Sequence, residues 1–313
     1  MTVKPLIEQT SIVYEQEIKE YMHQFLKGQD EVIDLMSYVG HLYSVKLYAL
    51  GMGHKRADLP KINMLITGPT GFGKTFSILK LAEALGLPYT RIDCSSVSAE
   101  GWKGTNLSSK VAEYCKNSSW GAGILHLDEF DKMGSSQEGA DNVREHKLSL
   151  QQNMLDLLDG EYSFNQEDSK VPLSNVNNAL VILSGSFQTT RNDNKSNREK
   201  GSIGFVNKSK DDDVENRKSW KEHLTESGFM HEFASRIVSS VELAKYTPDQ
   251  IKDIVMNGKQ SAYSKFKNIL GLSAEMTEEE INTIVKDVSE SKNGMRDLDS
   301  LFFKRYYEKK RGK

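Results

Sequence analysis

The sequence predicts an α/β protein built on a five-stranded parallel sheet with helices on both faces, followed by a smaller, mainly helical C-terminal unit. Three observations carry this expectation. Short apolar runs near 62–67, 121–128 and 179–185 alternate with longer stretches of helical periodicity. A glycine-rich turn leads from the first run straight into a helix pattern, and from Pro248 onward the spacing is helical with breaks at Gly271 and 293–295. Strands that alternate with helices pair in parallel and collect ligands beyond their C-terminal ends.

The first strand and its turn read INMLITGPTGFGKT over 62–75. The spacing GxxxxGK[ST] is that of a phosphate-binding loop: Gly68, Gly71 and Gly73 let the backbone curl so that amides face phosphate oxygens at a helix N-terminus. Lys74 adds a cation there, and Thr75 offers a hydroxyl to Mg2+. The expected ligand is ATP or GTP. Before this strand, residues 5–50 carry apolar residues at helical spacing, interrupted by FLKGQD at 25–30, where Gly28 ends one helix and Asp30 caps the next. Residues 51–61 read as a loop.

After the first sheet helix, 86–88 is a turn and YTRIDCSS at 89–96 alternates as a second strand. In the following AEGWKGTNLSS, Trp102 and Lys103 lie between two glycines, which predicts an exposed segment rather than a core element. The third strand, within GAGILHLDEFDKM at 121–133, ends in Asp128 and Glu129. An acidic pair beyond an apolar strand, downstream of such a loop, suits a magnesium shell at Asp128 and an oriented water at Glu129. Asp131 reads as a cap for the next turn, and His126 as a packed rather than catalytic histidine.

Residues 133–147 have almost no apolar content and read as a loop, 148–162 as an amphipathic helix stopping near Gly160, and 163–178 as a connector. The strand ALVILSGSFQ at 179–188 ends with Ser184, Gly185 and Ser186. The most polar part, 190–225, contains one apolar island, Ile203-Gly204-Phe205. A short helix and a strand follow over 228–243, with Arg236 at their join. The expected division is a large unit over 1–246 and a small helical one over 247–313.

Composition narrows the function classes. With 41 Lys and Arg against 44 Asp and Glu, the net charge is −3, which argues against a generally basic nucleic-acid binder. The two cysteines, Cys94 and Cys115, have no metal-ligand spacing and fit a reducing compartment. No apolar run reaches the ~18 residues of a membrane span, and no signal-peptide pattern opens the chain, so a cytoplasmic protein is expected.

These positions together resemble the AAA+ superfamily and, within it, the Clp branch of ClpX- and HslU-type unfoldases. GPTGFGKT is similar to the branch's phosphate loop, and ILHLDEFDKM to its Walker B segment. EGWKG resembles a first pore loop, VREHKLSLQQNMLDLLDGE a second pore loop with its helix, VILSGSFQ a sensor-1 strand, HEFASR an arginine-finger box, and NGMRDL a sensor-2 helix. The resemblance implies an AAA+ large domain with a helical lid that hydrolyses ATP with Mg2+ in a homo-oligomeric, hexameric ring. It implies nucleotide contacts from Gly68, Pro69, Thr70, Gly71, Phe72 and Gly73 through Lys74, Thr75 and Phe76, from Leu26, Lys27 and Gly28, and from Arg296. Metal would be held by Thr75 and Asp128; Lys74, Glu129 and a neighbour-directed Arg236 would carry the chemistry. Trp102, Lys103 and Arg144 would grip a protein substrate in the pore, Ser184 and Gly185 would form the sensor-1 region, and Ile203, Gly204 and Phe205 would dock a ClpP-like peptidase. An adaptor is a further implied partner.

The departures from the family's pattern are Trp102 for the usual pore tyrosine, Lys103 for valine, His231 for proline, and no cysteine-rich zinc-binding head. A second reading keeps the ATPase but turns it on nucleic acid, or makes it a nucleotide-state switch in a mobile-element, phage or defence system. The basic loop at 53–61 and Lys103 would then meet phosphates, and the acidic balance weighs against it.

Overall fold

The computed structural model describes residues 11–55, 59–98, 105–118, 120–134, 141–162, 176–187, 220–258, 261–270 and 275–311. In chain order its strands are β1 (Met64–Thr67), β2 (Tyr89–Asp93), β3 (Val97–Ser98), β4 (Thr105–Asn106), β5 (Gly123–Asp128), β6 (Ala179–Gly185) and β7 (Ser239–Glu242). Five of them form one sheet in the order β2-β5-β6-β1-β7, and every pairing within it is parallel. β3 and β4 form a separate two-residue ladder. β5, between the edge strand β2 and the central strand β6, is buried along its whole length, as a parallel sheet covered on both faces requires.

The helices are α1 (Glu15–His23), α2 (Asp30–Gly51), α3 (Lys74–Leu85), α4 (Leu107–Asn117), α5 (Asp141–Asp159), α6 (Trp220–Glu226), α7 (His231–Arg236), α8 (Pro248–Asn257), α9 (Ala262–Leu270), α10 (Glu278–Glu290) and α11 (Leu298–Lys310). Strand alternation sorts the core into two layers. Met64, Ile66, Ile124 and Ile182 pack with Ile18, Ile33 and Ile78 from α1, α2 and α3. Leu65, Leu125, Leu127 and Leu183 point the other way, onto Val111, Met154 and Phe233 from α4, α5 and α7.

Two local expectations are corrected. The helix expected from residue 148 begins at Asp141, within the segment read as a loop. Val143 is its only apolar residue before Leu148, yet 141–147 contains neither Gly nor Pro, so nothing breaks a helix whose first two turns need bury little. Asp30 stands inside the first turn of α2, and Gln29 occupies the cap position. The Gln29 amide instead ties the α1–α2 link to Ala244, donating to its carbonyl at 2.9 Å and accepting from its amide at 3.2 Å.

The C-terminal helices share a cluster of their own, including Ile251, Val255, Ile284, Val288 and Phe302. Thr247 and Thr277 cap α8 and α10, each accepting from the backbone amide three residues on. Phe72, from the glycine-rich turn before α3, completes this cluster. No helix among the described residues is long and apolar enough to cross a membrane.

Candidate functional site

Between β1 and α3 the backbone turns through three glycines at positive φ: Gly68 at 139°, Gly71 at 83° and Gly73 at 100°. Only glycine adopts such angles without cost, and the third forms the cap of α3. The first amides of α3 therefore lack intrahelical acceptors. Lys74 Nζ donates to the carbonyls of Gly68 at 2.7 Å and Pro69 at 2.9 Å, holding the loop closed upon its own lysine.

A cavity of about 410 Å³ opens in front of this turn. Thr70 through Phe76 form one wall, Asp128, Glu129 and Asp131 another, and Gly185 and Ser186 the end of the central strand. Phe25 and Leu26 with Tyr246 supply an apolar side, and Ile254, Lys265, Met295 and Arg296 close it from the C-terminal helices. One half is therefore polar and charged, and the other suits a flat apolar ring.

Asp128 sits at the centre of the polar half, 4 % exposed. Its Oδ2 accepts from the Thr75 hydroxyl at 2.9 Å and from Arg91 Nε at 2.7 Å. Its Oδ1 accepts from the Ser184 hydroxyl at 2.6 Å and from the Glu129 amide at 2.9 Å. Four donors fill the four acceptor positions of a carboxylate. Burial alone would raise its pKa. It is overcome by His126, which is protonated in the acid range where Asp128 titrates, then by the Ser184 and Thr75 bonds and by Arg91; together they hold the group at about 2. His126 is fully buried and is pushed down to about 4 by that burial, against the pull of Asp128, so it is neutral near pH 7.

Glu129 has a left-handed backbone, φ 53°, a conformation that costs a non-glycine residue about 1 kcal/mol. It starts a 3-10 turn over Phe130–Met133. Within that turn Asp131 accepts from the Ser186 hydroxyl at 2.8 Å, so it anchors the end of β6 instead of capping the turn, which has no side-chain cap.

An anionic phosphate chain fits this cradle of glycine backbone, helix N-terminus and Lys74. The adjacent Thr75 hydroxyl and Asp128 carboxylate are hard oxygen donors of the kind magnesium uses alongside substrate phosphates. Among the described residues no group of three His, Cys, Asp or Glu forms a metal cage.

The other sequence-derived positions divide clearly. Gly68 and Pro69 meet Lys74 rather than the cavity, and Lys27 and Gly28 lie outside its lining. The carbonyl of Gly28 instead receives the side-chain amide of Gln250 at 3.5 Å. Ser184 lies behind Asp128, whereas Gly185 and Arg296 line the cavity. Arg236 is elsewhere: its Nε donates to Asp159 at 2.7 Å, and Lys61 pairs with the same carboxylate. Trp102, Lys103, Ile203, Gly204 and Phe205 fall outside the described residues, and Arg144 is described only as part of α5.

Sequence reasoning missed Arg91, Tyr89 and Lys265. For the first two there was a signal, since Tyr89, Arg91 and Asp93 alternate onto one face of β2. That face could not be matched to Asp128 without the strand register, which sets Arg91 beside His126 and Asp93 beside Asp128.

Residues 64–188 match the family described as "ATPase family associated with various cellular activities (AAA)". Over a 299-residue alignment the chain is 23% identical to the "ATP-dependent Clp protease ATP-binding subunit ClpX 2" of Wolinella succinogenes, covering 90% of this chain and 73% of that protein.

Proposed function

We propose, for a chain that is a distant, ClpX-like AAA+ protein, that it hydrolyses ATP with Mg2+ in a ring, hexameric by analogy, and uses the energy to thread, unfold or remodel protein substrates. The observation that carries the nucleotide part is the shared cavity: Lys74, Thr75, Asp128 and Glu129 face Met295 and Arg296 across one space. A ligand there touches both parts of the chain at once, so its exchange for product can move one against the other.

In this reading Lys74 leaves its two carbonyl partners for the phosphates. Thr75 and Asp128 hold the magnesium ion, which when bound neutralises charge on the phosphate chain. Glu129, which lines the cavity beside Asp128, orients the attacking water. Leu26 and Phe25 take the base, and Arg296 contacts the phosphates from the C-terminal side. Arg236, absent from its own chain's cavity, is the residue that completes a neighbour's site, which makes hydrolysis depend on assembly. Trp102, Lys103 and Arg144 grip the substrate chain, and Ile203-Gly204-Phe205 offers an apolar anchor to a ClpP-like peptidase.

The test is a trap. Tagged Glu129→Gln protein is held in ATP and purified, and its associated molecules are compared with those of the same protein carrying Trp102→Ala. Polypeptides recovered only with Trp102 intact support threading. Nucleic acid, or one fixed partner regardless of Trp102, contradicts it.

A further inference from the structure

Asp128 is reached from the far edge of the sheet by a line of hydrogen bonds. Tyr89 on β2 lies 2.8 Å through its hydroxyl from His126 Nδ1 on β5. His126 Nε2 lies 2.8 Å from the Ser184 hydroxyl on β6. That hydroxyl donates in turn to Asp128 Oδ1 at 2.6 Å. The sense of the line is fixed at its acidic end, because an ionised carboxylate only accepts. Ser184 must spend its proton on Asp128, so it accepts from His126 Nε2–H, which leaves Nδ1 to accept from the Tyr89 phenol. Each donor in the line then has one acceptor.

The position of this line in the core is unusual. His126 and Ser184 are both 0 % exposed. They occupy the sheet face that elsewhere carries Met64, Ile66, Ile124 and Ile182 against α3. A polar side chain placed among these costs stability unless fully bonded, and an apolar residue at 126 would pack there without needing partners. Histidine accomplishes what an apolar residue cannot: it fills the second role of the Ser184 hydroxyl and so leaves that group a single orientation toward Asp128.

We infer that His126 and Tyr89 are positioning residues for the metal-side carboxylate, acting through Ser184 to fix which oxygen of Asp128 faces the nucleotide. The inference rests on the proposed Mg·ATP site. Oδ1 is held by Ser184 and the Glu129 amide, so Oδ2, the oxygen shared with Thr75, is the one presented to the metal. Arg91 occupies that oxygen as well, and it is the donor that gives way. Loss of the His126 link frees the Ser184 hydroxyl to turn and the carboxylate to rotate. The cost falls on metal-dependent binding, while the glycine loop and Lys74 continue to hold phosphate.

Calorimetry on the full chain with a β,γ-imido analogue of ATP, in Mg2+ and again in EDTA, separates the two contributions. For Ser184→Ala and His126→Phe we expect the affinity gained from Mg2+ to shrink about 10-fold, the lower end for outer-shell partners of a metal ligand. The affinity of His126→Phe in EDTA should be unchanged. His126→Gln, whose amide can still donate to Ser184, should recover most of the gain, and Tyr89→Phe should lose less than His126→Phe. A His126→Phe protein that keeps the full Mg2+ gain overturns the inference. So does one that loses affinity equally in Mg2+ and EDTA, with His126→Gln no better, because that pattern marks a purely structural role. A wild-type chain that binds the analogue in neither condition overturns the proposed function, and this inference with it.

Discussion

The backbone amide of Met295 donates to the carbonyl of Gly71 at 3.1 Å, so the C-terminal helices are bonded directly to the phosphate-loop backbone. The approach is close enough that a Cβ on Gly71 would stand 1.8 Å from the Asn293 carbonyl oxygen. Gly71→Ala should therefore separate the two parts and weaken nucleotide binding. Gly53→Ala is the control, since Gly53 has φ 90° but nothing within 4 Å of its Cβ position. It incurs only the left-handed backbone cost, about 1 kcal/mol. Urea unfolding of the two variants should show Gly71→Ala the less stable, and equal losses would mean that the contact contributes nothing.

Phe72 lies in the same turn, with its ring 5.8 Å from that of Tyr246 and buried in the C-terminal cluster. Phe72→Ala should destabilise the chain by about 3 kcal/mol and lower nucleotide affinity, although Phe72 contributes no charge to the cavity. Phe72→Leu should restore most of the stability. Chemical denaturation with parallel binding measurements checks both.

Acid should weaken the fold before Asp128 is protonated. A folded-state pKa of about 4 at His126 lies below the ordinary 6.5, so the unfolded chain binds more protons between these values. Stability is then full above pH 6.5 and falls as the pH drops toward 4. From pH 7.5 to 5 this group alone should remove about 2 kcal/mol. Asp128, also depressed, acts lower, its contribution fading as the pH falls from about 4 to 2. His126→Gln should flatten the upper slope in urea titrations at the two pH values.

Arg236 offers a test of assembly. Its partner Asp159 keeps Lys61 when the arginine is removed, and the pair is partly exposed, so Arg236→Ala should cost no more than about 1 kcal/mol of stability. Hydrolysis should fall on the order of 10³-fold, as for other arginines supplied in trans. Mixing Arg236→Ala with Glu129→Gln chains should restore part of the turnover, because some sites then combine an intact Glu129 with a neighbour's Arg236. No recovery on mixing would place Arg236 outside the reaction.

Much of the fold was legible because its signals are local. The glycines from 68 to 73 and the apolar strands ending at Asp128 and Gly185 announce a parallel sheet with a loop at its C-terminal edge. The early start of α5 was hidden because a helical turn can form without an apolar residue. Arg91, Tyr89 and Lys265 were hidden because their meaning depends on strand register and on the packing of distant segments. His126 was read correctly as packed, but that Tyr89 and Ser184 meet it from the two flanking strands depends on register, which the sequence does not spell out.

The central claim is that this cavity hydrolyses ATP, and the most direct measurement compares binding and turnover on the same preparations of wild type, Lys74→Ala and Glu129→Gln in Mg·ATP. The account predicts steady hydrolysis by wild type, no binding by Lys74→Ala, and in Glu129→Gln binding near the wild-type level with turnover reduced about 100-fold or more. Glu129→Gln turning over at the wild-type rate, or a wild type that binds ATP without hydrolysing it, would contradict the account.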